Sequence, residues 1–265
     1  MNQFEHISFA VDGAIARIQL NRPDAAHGID SRLARELKEA ARQCDANPAL
    51  KVVILGATGR FFCAGGDLRE MLAQGDAIGA AAQALADDLH SAISTFARMQ
   101  AVLVVAVNGI AAGGGFSLAL VGDIVLAAES ARFTMAYTRA GLCPDGSSSY
   151  FLPRLVGLRR AQELMLTNPT LDAHEAAAMG LVTRVVADAE LVAETDRVAA
   201  QLAGAARLSS AYVKKLLLAS QTNDLETQMD LEAQLLSQCA ASADGREGIQ
   251  AFFDKRDPEF GQDSR

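Results

Sequence analysis

The chain has 265 residues, a mass of 27.9 kDa and a hydrophobic half, enough for a large core in one domain, alone or with a small appendage, and disorder is not expected. Its 32 acidic and 24 basic residues leave a net charge of −8, which argues against nucleic acid as a main partner and against an anionic membrane surface. Cys44, Cys63, Cys143 and Cys239 lie far apart without metal-type spacing, so no metal site is expected, and free thiols in a reducing, cytoplasmic compartment are.

Residues 1–6 lack a basic region followed by an apolar stretch, so no signal peptide is expected. Residues 7–10 and 14–20 flank Asp12-Gly13, a hairpin signal, and Asn21-Arg22-Pro23 ends the second strand. On spacing alone Arg22 reads as a solvated charge. Asp30 or Ser31 caps a helix to about Cys44, with Leu33, Leu37, Ala40, Ala41 and Cys44 on one face. Asn47-Pro48 stops it, and residues 51–56 read as a buried strand. Phe61-Phe62-Cys63-Ala64-Gly65-Gly66-Asp67-Leu68 is then a strand, a glycine turn and the start of a short helix. Asp67 suits a helix cap better than a catalytic acid. Residues 75–86, rich in Ala and Gly, read as a mobile segment. Leu85, Leu89, Ile93 and Phe96 mark an amphipathic helix that carries His90, a lone helical histidine of the kind found more often at a surface or in a core.

Residues 99–122 carry no charge and are long enough to cross a bilayer, but Asn108-Gly109 and Gly113-Gly114-Gly115 interrupt them. A buried strand over 101–107, a turn and a helix over 116–121 fit better. Glycines in that turn allow backbone angles closed to other residues and let a ligand approach main-chain N–H groups. The first N–H groups of a helix lack internal partners and sit at the positive end of its dipole. Such a turn can hold an anion, or an oxygen that becomes anionic during a reaction; close helix packing is the bland alternative. The turn at 64–67 has the same form, and together the two can offer one N–H each to one oxygen.

Further strands are expected at 124–128 and 133–137. Pro144-Asp145-Gly146 is an ordinary turn sequence before a helix starting near Ser147. Asp145 can shape that turn, cap the helix, or serve as a general base beside apolar walls. Helices over 155–167 and 173–179 and a strand over 181–186 follow. The rest is almost wholly helical, at about 189–203, 209–220, 224–240 and 244–254. The class is α/β over 1–186 with a helical region over 187–265.

Three stretches together resemble the crotonase, or enoyl-CoA hydratase/isomerase, superfamily: Phe62 to Leu68, Asn108-Gly109 with Gly113-Gly114-Gly115, and Gly141 to Pro144. Ala161 to Thr167, Glu175-Ala176 with Gly180-Leu181-Val182, and Glu247-Gly248 with Phe252-Phe253-Asp254-Lys255-Arg256 extend the match over nearly the whole chain. The resemblance implies a spiral of ββα units with a helical C-terminal trimerisation region, trimers or pairs of trimers, and an acyl-CoA thioester as substrate, with no cofactor beyond the CoA it carries. It implies an oxyanion hole from the Gly66 and Gly114 N–H groups, and substrate or CoA contacts at Arg22, Ala64, Gly65, Gly66, Asp67, Leu68, Gly114, Tyr137 and Lys255, the last often from a neighbouring subunit. Two donors would stabilise an enolate oxygen by about 3–4 kcal/mol each.

The two glutamates of the family's hydratases fall on Ser117 and Tyr137, neither a carboxylate. Asp145 instead aligns with the acid/base of double-bond isomerases, and also with the nucleophile of 4-chlorobenzoyl-CoA dehalogenase, whose water-activating histidine falls on His90. That dehalogenase has aromatic residues at the positions of Gly66, Leu89 and Tyr137, of which only Tyr137 is aromatic here. Isomerisation through Asp145 is the leading expectation, aryl-CoA chemistry through Asp145 and His90 the second, and an acyl-CoA-binding homologue without activity the third.

Overall fold

The structure is a computed structural model that describes residues 4–261; the first residues of the expected leader-free N-terminus lie outside that range. Strands β1 (Ile7–Asp12) and β2 (Ile15–Leu20) form the expected hairpin, with Gly13-Ala14 as its turn and Gly13 at φ 54°. Of the two cap candidates for α1 (Ser31–Ala46), Asp30 takes the role, accepting the Leu33 N–H at 2.7 Å. The helix buries the five residues its spacing predicts, and Glu36 beside them. Strands β3 (Val52–Ala57) and β4 (Phe61–Cys63) lead to the short α2 (Leu68–Ala73) and the long α3 (Ile78–Arg98). The segment 75–86, expected to be mobile, is one 3-10 turn followed by the first part of α3. Its alanines are strong helix formers and outweigh Gly79.

Next come β5 (Val102–Val107), β6 (Ile110–Ala112), α4 (Gly114–Leu120), β7 (Ile124–Ala128) and β8 (Arg132–Thr134). Tyr137 is not in a strand, since β8 stops at Thr134 and a 3-10 turn begins at Tyr137. The helix expected over 155–167 is two helices, α5 (Ser148–Val156) and α6 (Leu158–Thr167), divided at Gly157, whose φ of 80° no helix admits. After β9 (Leu171–Asp172) and α7 (Ala173–Ala178), the strand expected over 181–186 is only β10 (Arg184–Val186). Helices α8 (Leu191–Ala203), α9 (Arg207–Ala219), α10 (Leu225–Ala241) and α11 (Ala243–Asp254) complete the chain.

A six-stranded sheet has the order β1-β2-β3-β5-β7-β10, parallel from β2 onward; a smaller one has the order β4-β6-β8-β9. Each pass lays a strand in the large sheet, a short strand in the small one, then helix: β3-β4-α2, β5-β6-α4, β7-β8-α5. The result is a spiral of ββα units. The central strands β3, β5 and β7 are buried on both faces, as parallel sheets require. Val53, Leu55, Leu103 and Val105 belong to one core, while Val52, Ile54, Val104 and Leu126 join Leu191, Val198 and Ala199 of α8 in another. Lys214 ties α9 down, with its Nζ 2.7 Å from Asp123 Oδ2 and 2.6 Å from the Phe96 carbonyl oxygen. Among the described residues no helix is long and apolar enough to cross a membrane.

Candidate active site

Strands β4 and β6 are parallel neighbours, Phe61 opposite Ile110 and Cys63 beside Ala111. Their C-terminal ends therefore lie together, where parallel sheets build ligand sites. Each ends in glycines whose backbone needs the left-handed region, Gly65 at φ 99° and Gly113 at φ 50°. The two turns pack main chain on main chain. A Cβ at Gly65 would stand 2.9 Å from the Ala112 carbonyl oxygen and 3.4 Å from Gly114 N, and one at Gly114 would stand 3.8 Å from Gly66 N. Among the described residues neither the Gly66 N–H nor the Gly114 N–H has a hydrogen-bond acceptor. Two free donors thus sit side by side, the arrangement that can hold one anionic oxygen.

Both glycines line a cavity of about 410 Å³ whose walls are mostly apolar, with Met71, Leu85 and Leu89 from α2 and α3 and Leu142 from the loop before α5. Asp145 is its only carboxylate among the described residues, and His90 and Tyr137 line it too. His90 and Asp145 also border a second cavity of about 1190 Å³ that reaches α9. Asp145 does not cap α5: Ser147 holds the cap position, without a side-chain bond. The carboxylate, one-third exposed, instead has its Oδ1 2.5 Å from His90 Nε2. Asp145 lies 55 residues from His90 in sequence, so helical spacing gave no sign of the pair.

Of the residues marked from sequence, Ala64, Gly65, Gly66, Leu68, His90, Gly114, Tyr137 and Asp145 all line the one cavity. Arg22 and Asp67 stand outside its lining. Arg22 is not a solvated charge: its guanidinium bridges Asp30 at 3.1 Å and Asp67 at 3.3 Å and donates to the Gly28 carbonyl. Since Asp30 caps α1 and Asp67 caps α2 through the N–H groups of Arg69 and Glu70, the arginine locks two helix starts together. Lys255 sits at the end of α11 with φ 55° and lines neither cavity.

A residue that carried no sequence signal stands behind the first glycine turn. His27 is fully buried; its Nδ1 accepts the Arg22 N–H at 2.9 Å and its Nε2 donates to the Thr58 carbonyl at 2.7 Å. That pairing is of the neutral ring, and burial lowers the basicity of His27 below the ordinary value of 6.5. The unfolded chain therefore binds this proton more readily than the folded one. The contribution of His27 to stability is present above about pH 6.5 and is lost on acidification toward its folded value. His27→Asn, which tolerates the φ of 52° there, is expected to flatten the fall of melting temperature between pH 7.5 and pH 5. An unchanged slope would remove His27 from the acid response.

The sequence profile of the enoyl-CoA hydratase/isomerase family matches residues 10–263. The chain is an enzyme of that family and has the crotonase fold. Among its relatives, the 1,2-epoxyphenylacetyl-CoA isomerase of Escherichia coli (strain K12) is 35% identical over 264 residues, covering 97% of this chain and 98% of its own. The trans-2-decenoyl-[acyl-carrier-protein] isomerase of Streptococcus mutans is 30% identical over 258 residues, covering 97% and 98%. The crystal structure of an enoyl-CoA hydratase from Polaromonas sp. JS666 superposes with a TM-score of 0.92 at 30% identity, covering 96% of this chain and 99% of that one.

Proposed function

We propose that this enzyme moves a double bond within an enoyl-CoA thioester, with Asp145 as a single acid/base. The observation that carries the reading is that one carboxylate, Asp145, shares a cavity with two free backbone donors, Gly66 and Gly114. The thioester oxygen sits on the two N–H groups. Asp145 removes a proton from the acyl chain, negative charge moves to that oxygen, and Asp145 returns the proton at another carbon. One carboxylate suffices because the same group takes and gives the proton. Water addition in the manner of two paired glutamates lacks its groups, since Ser117 and Tyr137 hold those positions. Two relatives named as isomerases agree with the reading. The reaction needs no cofactor beyond the CoA carried by the substrate.

Aryl-CoA chemistry, with Asp145 as nucleophile and His90 activating water, is the second reading; the 2.5 Å contact of these two side chains favours it. Pure protein incubated in deuterated water with 3-enoyl-, 2-enoyl- and 4-halobenzoyl-CoA separates the two. Isomerisation places deuterium in a C–H bond of the enoyl product and leaves the halobenzoyl compound intact. Halide release without such exchange would replace it by the second reading.

For the assembly we propose a trimer or a pair of trimers, with the C-terminal helices at the boundary. Phe252 and Phe253 support this, being 80% and 74% exposed on α11 in the single chain. Lys255, next to them, then reaches the CoA of a neighbouring copy, and Arg22 steadies the turn that holds the near end of the carrier. Light scattering at micromolar concentration should give at least three chain masses; a monomer would sink the assembly and the role of Lys255 with it.

A further inference from the structure

We infer that Ser117 and Tyr137 are positioning residues: their hydroxyls hold the main chain of Asp145 at a fixed place relative to the Gly114 turn. The inference rests on the isomerase reading of Asp145.

The main-chain carbonyl oxygen of Asp145 is unusually well supplied with donors. Ser117 Oγ lies 2.8 Å from it, Ser148 Oγ 2.9 Å and Tyr137 Oη 3.2 Å, with the Ser148 N–H at 3.3 Å. A carbonyl oxygen has two lone pairs, and the two serine hydroxyls make the shortest contacts. The Ser117 proton goes to Asp145, which leaves Ser117 Oγ a free lone pair 3.0 Å from Tyr137 Oη. The tyrosine hydroxyl is in reach of both that serine oxygen and the Asp145 carbonyl, so Tyr137, Ser117 and the Asp145 main chain form one network. Burial pushes the Tyr137 phenol well above its ordinary value, so it stays a donor throughout the working range.

Ser117 also belongs to α4, the helix that begins with Gly114. It is fully buried; its N–H donates to the Gly113 carbonyl at 3.0 Å and its Oγ lies 3.3 Å from the same oxygen. One side chain thus touches both the turn that presents the Gly114 N–H and the loop that presents the carboxylate. Gly146 completes the contact: with φ 61°, a Cβ there would stand 2.8 Å from Ser117 Cβ. Serine at 117 and glycine at 146 let the acid loop press directly on α4. A misplacement of about 1 Å between base and substrate costs on the order of 100-fold in rate, so a clamp on the backbone of the base acts on the chemical step rather than on binding. Neither hydroxyl needs to move a proton for this role.

The test compares Tyr137→Phe, Ser117→Ala and the double variant with the parent, in the wild-type and in the Asp145→Asn background, on an enoyl-CoA substrate, with thermal melts of each. In the wild-type background the double variant is expected to lose tenfold or more in kcat while KM stays within twofold. In the Asp145→Asn background, assayed at high enzyme concentration, the same two changes should cost nothing further, because the hydroxyls act through the aspartate. A rise in KM at constant kcat, or an equal loss in both backgrounds, would overturn the inference and make the hydroxyls substrate contacts. Wild-type kcat in the double variant would overturn it as well. Should the double variant melt early, Tyr137→Phe, which removes one oxygen and keeps the ring, decides alone by the same criteria. Failure of the underlying reading looks different: Asp145→Asn itself would then turn over like the wild type.

Discussion

Asp145→Asn is expected to keep the fold and the affinity for a saturated acyl-CoA while lowering kcat roughly 10²–10⁴-fold, the usual worth of a positioned acid/base. The amide matches the carboxylate in size and still offers an oxygen to His90 Nε2, so the 2.5 Å contact need not be lost. The main-chain carbonyl with its hydroxyl donors is untouched by the change. What disappears is the ability to accept a proton, and with it nucleophilicity. Calorimetric titration with an unreactive acyl-CoA checks binding, and exchange of solvent deuterium into substrate checks proton abstraction apart from full turnover. An Asn variant that exchanges and turns over at the wild-type rate would take the chemistry away from this residue. His90→Gln separates the readings again. If the base only needs a neighbour to orient it, the variant keeps a measurable fraction of turnover. If histidine must activate water, hydrolysis of a covalent ester stops and the ester accumulates.

Features with a local cause were legible before any coordinate. The glycines at 65–66 and 113–115 announce turns because only glycine tolerates angles such as φ 99° at Gly65. The runs that became β3 and β5 announce buried strands because a sheet covered on both faces needs apolar residues throughout. Features with a distant cause were not. Strands β6 and β9 have three and two residues and exist only because a neighbouring strand waits to pair with them. Arg22 reads as a surface charge until Asp67, 45 residues on, is folded against it. Its burial shows nothing in the local sequence, and neither does that of His27. The positions of Ser117 and Tyr137 could be marked as lacking carboxylates, but not that their hydroxyls converge on one carbonyl 28 and 8 residues away. The resemblance marked eight residues that share the cavity, along with Arg22, Asp67 and Lys255, which lie outside it, and the geometry supplied how they are held.

Gly114→Val should separate the oxyanion-binding role from the fold. Gly114 opens α4 without a positive φ, so a side chain is compatible with its backbone. The nearest obstacle to a Cβ is Ile29 Cδ1 at 3.1 Å, the free end of a flexible side chain, followed by Tyr137 Oη at 3.7 Å and Gly66 N at 3.8 Å. The added atoms therefore enter the space between the two free donors, where the proposed reading seats the thioester oxygen. A fall in kcat of about 10²–10³-fold is expected, as when one oxyanion donor is lost, with a melting temperature within a few degrees of the wild type. Gly65→Ala makes the contrast: its φ of 99° and a Cβ 2.9 Å from the Ala112 carbonyl oxygen strain the turn itself, so stability and activity should fall together. If Gly114→Val melts normally and works normally, the second donor is not Gly114. The oxygen must then rest on Gly66 alone or on a group elsewhere in the cavity, and the close packing of the two turns would be structural only.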